Sequence, residues 1–173
     1  METVLRIIEI TIPAVIVFLT AFYIIKSFFK REEKKQEANQ KIENAKVSVP
    51  LRIQAYERLV LLLERIKPDS LLLRVQTPQM TAGQLHHDLL VTIRAEFEHN
   101  LSQQIYVTQP SWNAVKLAKD DLVRIINEES EKVAAVAPAT ALSEAILKGY
   151  ISQKNNCIDV ALSLLKKEAE NYL

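Results

Sequence analysis

The chain has 173 residues, a quarter of them charged, with a formal net charge of +1, one cysteine and two glycines. A single cysteine, Cys157, rules out an intrachain disulfide framework. Two isolated glycines, Gly83 and Gly149, exclude the glycine-rich turns that phosphate cradles, dinucleotide fingerprints and nucleophile elbows require.

Ile10 to Ile25 is uncharged throughout. As a helix that run is about 24 Å long, and extending it to Ile7–Phe29 reaches the roughly 30 Å of a hydrocarbon core. We therefore expect a transmembrane anchor over residues 1–29, with Ile7, Ile10, Pro13, Phe18, Tyr23 and Phe29 in the span. Pro13 falls in the first turns, where a missing backbone donor costs least, and Tyr23 suits an interfacial level. A cleaved signal peptide fits less well, because Glu2, Arg6 and Glu9 replace the basic leader and Thr20-Ala21-Phe22 is a poor cleavage site.

Charge sets the expected orientation. Only Arg6 precedes the span, whereas Lys26–Lys46 holds seven basic against four acidic residues, a net +3. Basic residues stay on the cytoplasmic side, so the bulk of the chain is expected in the cytoplasm and the N-terminus outside. Lys26, Lys30, Arg31, Lys34 and Lys35 are the expected contacts to lipid headgroups. Val47–Leu173 holds fourteen basic and fifteen acidic residues, net −1, so no nucleic-acid partner is expected.

Residues 30–49 read as a charged helical arm of up to about 30 Å, with Glu37 and Lys41 as an i,i+4 pair and partial disorder as the alternative. Val47-Ser48-Val49-Pro50 is expected to break it, because proline disfavours helix at the preceding residue. Residues 50–173 then read as a domain of about four amphipathic helices. The first, Leu51–Ile66, puts Leu51, Ala55, Tyr56, Leu59, Leu62, Leu63 and Ile66 on one face. Leu71–Val75 is a short apolar tail after it.

The second helix opens on the capping-box pattern Thr81-x-x-Gln84 and runs to about Tyr106, with a stripe of Leu85, Leu89, Ile93, Phe97, Leu101 and Ile105. The third, about Ser111–Val136, carries Trp112, Val115, Leu122, Ile125, Ile126 and Val133. The fourth, about Ala139–Tyr172, carries Leu142, Ile146, Tyr150, Ile158, Ala161, Leu162 and Leu165, with Gly149 and Asn155-Asn156 as weak points. No strand and no repeat is evident. The fold class is all-α: one transmembrane helix, a charged juxtamembrane helix and a roughly four-helix bundle.

Chemistry-bearing side chains gather on the second helix: His86, His87, Asp88, Glu96, Glu98 and His99. His86 and His99 are thirteen residues apart, about 1300° around the helix, and diverge. Glu96 and His99 form one Glu-x-x-His pair, where a di-iron bundle needs two such pairs and two further glutamates. No metal site, cofactor or catalytic residue is expected. Arg94, Glu96, Glu98 and His99 are candidates instead for a polar network or an interaction surface. Asp120-Asp121 and Glu128-Glu129-x-Glu131 read as a solvated acidic side of the third helix, with docking to a basic partner as the sharper option. Cys157 reads as a small buried residue, with Lys154 the one basic neighbour in sequence.

Leu51-Arg52-Ile53-Gln54-Ala55-Tyr56-Glu57-Arg58 and Arg94-Ala95-Glu96-Phe97-Glu98-His99-Asn100-Leu101-Ser102-Gln103-Gln104-Ile105-Tyr106, after a single N-terminal span, resemble an uncharacterised family of small single-pass membrane proteins from Bacteroidota. The resemblance covers nearly the whole chain. It implies a bacterial inner-membrane protein and carries no activity, so no functional residue transfers from it. The expected function is a non-enzymatic, membrane-anchored scaffold, adaptor or accessory subunit of an inner-membrane complex, with membrane lipid and another protein as partners. The alternatives are a self-associating homo-oligomer, and a metal- or acid/base-dependent enzyme using Glu96 and His99.

Overall fold

A computed structural model describes residues 2–153 and 156–172; for residues 2–15, 17, 21 and 38 it describes the backbone alone. The side chains of Ile7, Ile10 and Pro13 therefore lie outside the described residues, as do Lys154 and Asn155 entirely.

Among the described residues the fold is all-helical, with six α-helices: α1 (Glu2–Ile66), α2 (Pro68–Val75), α3 (Ala82–His99), α4 (Gln109–Glu131), α5 (Ala139–Ser152) and α6 (Cys157–Ala169). Short 3-10 turns follow α3 at Leu101–Ile105 and α6 at Glu170–Tyr172. The chain divides into two compact units, Met1–Ser48 and Val49–Leu173.

In the first unit the backbone is helical and the described apolar side chains face outward. Ile16, Phe18, Leu19, Phe22, Tyr23, Ile24, Ile25, Phe28 and Phe29 are all more than half exposed. At 100° per residue these positions cover the full circumference of the helix. Thr20 donates its hydroxyl to the carbonyl of Ile16, 3.0 Å away. No helix among the described residues is long and apolar enough to cross a membrane. Lys26, Lys30, Arg31, Lys34 and Lys35 are exposed.

The expected break at Val47–Pro50 is not a loop. Both sides of it are helical. Pro50 cannot donate to the carbonyl of Lys46, but Lys46 and Pro50 are exposed, so water can take that carbonyl and the interruption costs less than it would inside a core.

In the second unit, residues 49–66 present Ala55, Tyr56, Leu59, Leu62, Leu63 and Ile66 to the core. The core continues through Leu85, Leu89 and Ile93 of α3, Trp112, Val115, Leu122 and Ile126 of α4, Leu142 and Ile146 of α5, and Ile158, Leu162 and Leu165 of α6. The amphipathic periodicity decides these faces. Helix α4 packs on α3, α5 and α6, and α2 packs on α3 and α5.

Four boundaries differ from the periodic reading. The apolar tail at Leu71–Val75 belongs to helix α2, started by Pro68 in its first turn and holding Leu71 and Leu72 buried. Helix α3 stops at His99, because Asn100 turns its side-chain amide back onto the carbonyl of Glu96 at 2.9 Å and competes with the helical ladder. Leu101 and Ile105 consequently leave the α3 stripe and are exposed. The third helix is capped by Thr108, whose hydroxyl accepts the Ser111 N–H at 3.3 Å, and it ends at Glu131. The expected fourth helix is two, α5 and α6. Asn156 ends the continuity by accepting the Ile158 N–H on its side chain at 3.0 Å, an N-cap that starts a new helix.

The start of α3 shows how a helix end is satisfied inside a fold. The first free amides, those of Ala82 and Gly83, donate to the carbonyls of Ala137 and Ala135 at 2.8 and 2.9 Å. The third, of Gln84, donates to the Thr81 hydroxyl, and the Gln84 side chain accepts from the Thr81 amide, completing the capping box. Ala139 in turn donates to the carbonyl of Met80 at 3.0 Å. The two connectors before α3 and α5 are thereby laced together. Gly83 eases that approach: a Cβ there would sit 3.3 Å from both the Cβ and the carbonyl oxygen of Ala135, so the connector would have to give by a few tenths of an ångström. Thr81→Ala is expected to lower stability by about 1 kcal/mol, read as a shift of the urea midpoint with unchanged slope.

Candidate functional site

Three groups of polar side chains stand out in the second unit. The most convergent is at Glu168, near the end of α6. Its Oε2 accepts hydrogen bonds from the Tyr56 hydroxyl at 2.8 Å, the Thr108 hydroxyl at 2.6 Å and the Ser111 hydroxyl at 2.8 Å. Tyr56 and Ser111 are buried, and Thr108 and Ser111 begin α4. One carboxylate therefore ties α6 to α1 and to the positive end of the α4 dipole. Burial pushes the Glu168 carboxyl up, but the three hydroxyl donors outweigh it and hold the group below its ordinary range. Tyr56 moves the other way: burial, then its bond to the carboxylate, pushes the phenol up to about 12. Beside this hub Tyr172 packs on Tyr56, with ring centroids 6.0 Å apart, and accepts a bond from Arg52 at 2.8 Å.

The second group is at Glu96. Its Oε1 accepts from the Arg65 Nε at 2.8 Å and from Arg74 at 3.2 Å. Arg74 also donates to the backbone carbonyl of Arg65 at 2.8 Å. The bond from Arg65 holds the Glu96 carboxyl below its usual range, with burial opposing. Of the four candidates for a polar network or an interaction surface, Glu96 turns to α1 and α2, while Arg94, Glu98 and His99 are exposed. Among the described residues those three side chains make no hydrogen bond or ion pair. Position decides this. Glu96 lies on the flank of the buried Ile93 row, and Arg94 and Glu98, two residues to either side, point the opposite way. His99 closes the helix at an exposed position and makes no bond to Glu96 among the described residues. His86 bonds Asn127 of α4 through Nε2 at 2.8 Å.

The third group runs along α4. Arg124 pairs with Glu128 at 2.8 Å and with Asp121, Lys119 with Asp120, and Lys132 with Glu129 at 2.7 Å. Asp120, Asp121, Glu128 and Glu129, read from sequence as a solvated acidic side, are paired with lysines and arginines of their own helix or its end. Glu129 also lies against Gly149, where a Cβ would come within 2.8 Å of Glu129 Oε1. Burial, together with the adjacent Asp121 carboxylate, pushes the Cys157 thiol up, so it is held as the less nucleophilic thiol. Among the described residues no group of three His, Cys, Asp or Glu side chains is arranged to hold a metal ion.

The first two groups join helices, and the class they define is an all-α bundle fastened by carboxylates at the edge of its core. The chain belongs to the DUF7935 family, a family of unknown function, whose model matches residues 2–172. No curated protein and no solved structure matches the chain.

Proposed function

We propose that the protein is a membrane-anchored helical adaptor of a bacterial inner membrane, without catalytic chemistry of its own. One span, Ile7–Phe29, anchors it, and the bundle in the cytoplasm offers helix faces to another protein or to a larger membrane complex. The observation that carries this reading is the first unit's surface. The described apolar and aromatic side chains between Ile16 and Phe29 are exposed on every side of the helix, continuing the uncharged run that begins at Ile10. A helix apolar all round needs an apolar surrounding. Thr20 satisfies its hydroxyl on its own backbone, as a polar group in hydrocarbon must. The basic residues that follow match the lipid-headgroup level and the cytoplasmic side.

The non-catalytic half of the reading is supported by how the carboxylates are used. Glu96 is held by two guanidinium groups, Glu168 by three hydroxyls and Asp121 by Arg124. Glu96 and Glu168 bridge different helices, and Asp121 pairs within α4.

Alkaline carbonate extraction of bacterial membranes tests the anchor. The full chain is expected to stay in the pellet and a variant lacking residues 2–29 to move to the supernatant. A C-terminal tag is expected to resist protease added to spheroplasts. Release of the full chain by carbonate would overturn the anchor, and cleavage of the tag in intact spheroplasts would overturn the orientation.

A further inference from the structure

We propose that the protein pairs with a second copy of itself through the outward face of α3, antiparallel about a two-fold axis. The face is built from Val91, Arg94 and Glu98, spaced three and four residues apart and so aligned on one side of the helix, with Leu101 prolonging it into the 3-10 turn. Val91 and Leu101 are 52% and 40% exposed, and Arg94 and Glu98 are exposed with no bonding partner among the described residues. The face lies opposite Glu96, which is engaged by α1 and α2.

The unclosed Arg94–Glu98 pair is the informative feature. Arg124 and Glu128 have the same order and spacing and close at 2.8 Å. Glu144 and Lys148 lie at 3.7 Å, also i,i+4. Arg94 and Glu98 instead border a groove of about 390 Å³ between α3 and α4, with an apolar floor around Phe97 and with Lys119 and Asp120, paired to each other, on its α4 side. An exposed arginine and glutamate beside apolar side chains present both signs of charge to an incoming surface.

That pattern is complementary to itself. Two copies of α3 run antiparallel, centred on position 96, set Arg94 of one against Glu98 of the other, twice. The same register leaves Val91 at each end of the contact and brings apolar side chains over the groove. A two-fold interface requires this reciprocity, residue i on j and j on i. A partner with a single-sign surface would satisfy one of the two charges and repel the other. Because one helix face is smaller than the roughly 800 Å² per partner of a stable soluble complex, the pairing is reversible and has to be read across a concentration series.

Sedimentation equilibrium of the full chain in density-matched detergent tests this, and it reads the same whether or not the first unit crosses a membrane. The unaltered chain is expected to show a monomer–dimer equilibrium. Arg94→Glu and Glu98→Arg, both at exposed positions, each place like charges opposite one another twice and are expected to weaken association by more than about tenfold. An equimolar mixture of the two variants is expected to recover it. One copy is then acidic at both positions and the other basic at both, so unlike charges face each other twice. The chain carrying both changes is expected to pair like the original. A monomer at every concentration overturns the proposal. So does a dimer that the single variants leave intact, which would place the contact elsewhere, or a mixture that pairs no better than either variant alone.

Discussion

Glu168→Ala is expected to destabilise the bundle by about 3 kcal/mol, a large fraction of the stability of a domain this size. The loss comes from what the carboxylate leaves behind. Tyr56, Thr108 and Ser111 all donate to Oε2, and Ser111 is fully buried, so removing the acceptor strands hydroxyls that have little water to turn to. Glu168→Gln keeps an oxygen acceptor and loses only the charge assistance, so about 1 kcal/mol is expected. Tyr56→Phe removes one donor and leaves two, and should fall in the same range. Urea titration of the full chain in detergent reads all three through the fluorescence of Trp112, the one tryptophan, which is buried in the first turns of α4 and stacked on Phe97.

The same carboxylate predicts a pH dependence. Its native pKa is depressed from the ordinary 4.5, so the folded state binds this proton less readily than the unfolded chain. Its contribution is complete above about pH 4.5 and is lost as pH falls through the native value. The original chain should therefore lose more stability between neutral pH and the acid range than Glu168→Gln, which has nothing to titrate there. Parallel pH profiles for the two would show that Glu168 is not the acceptor at this junction.

None of this junction is visible in local sequence. Glu168 sits in a polar run, Lys166-Lys167-Glu168, that reads as a solvated helix end, and its donors lie 112, 60 and 57 residues away. Glu96 stands out in sequence because of its neighbours Arg94, Glu98 and His99, yet the arginines it binds are 31 and 22 residues distant. Periodicity reports which side of a helix is apolar. It carries no information on which polar residues from other helices meet at the edge of that side. The apolar faces were accordingly readable, from Leu59 and Leu63 to Leu162 and Leu165, and so was the capping box at Thr81, whose two bonds span only three residues.

Helix ends were less readable where a side chain competes with the backbone. Asn100 and Asn156 each settle a terminus through one local bond. In sequence an asparagine is equally compatible with a helix interior that is merely weakened. Pro50 illustrates the converse. Its expected penalty assumes a carbonyl sealed from water, and at an exposed position that penalty shrinks.

Leu63→Ala is expected to cost about 2–5 kcal/mol, and Leu61→Ala within about 0.5 kcal/mol. The two leucines are two positions apart on α1, and Leu63 is 0% exposed where Leu61 is 60% exposed. Leucine and alanine have similar helix propensities, so the contrast isolates the cavity left in the core from any effect on the helix itself. It also decides whether residues 49–66 are an integral wall of the bundle. Leu59, Leu62, Leu63 and Ile66 supply a continuous apolar edge, while Tyr56 and Arg65 on the same stretch reach the Glu168 and Glu96 junctions. A segment holding both core and junction residues cannot leave the bundle without exposing the first and orphaning the second. Equal unfolding midpoints for the two variants would mean that this stretch is a lever attached to a bundle that folds without it; a large gap confined to Leu63→Ala makes it the element on which α3 and α6 are assembled.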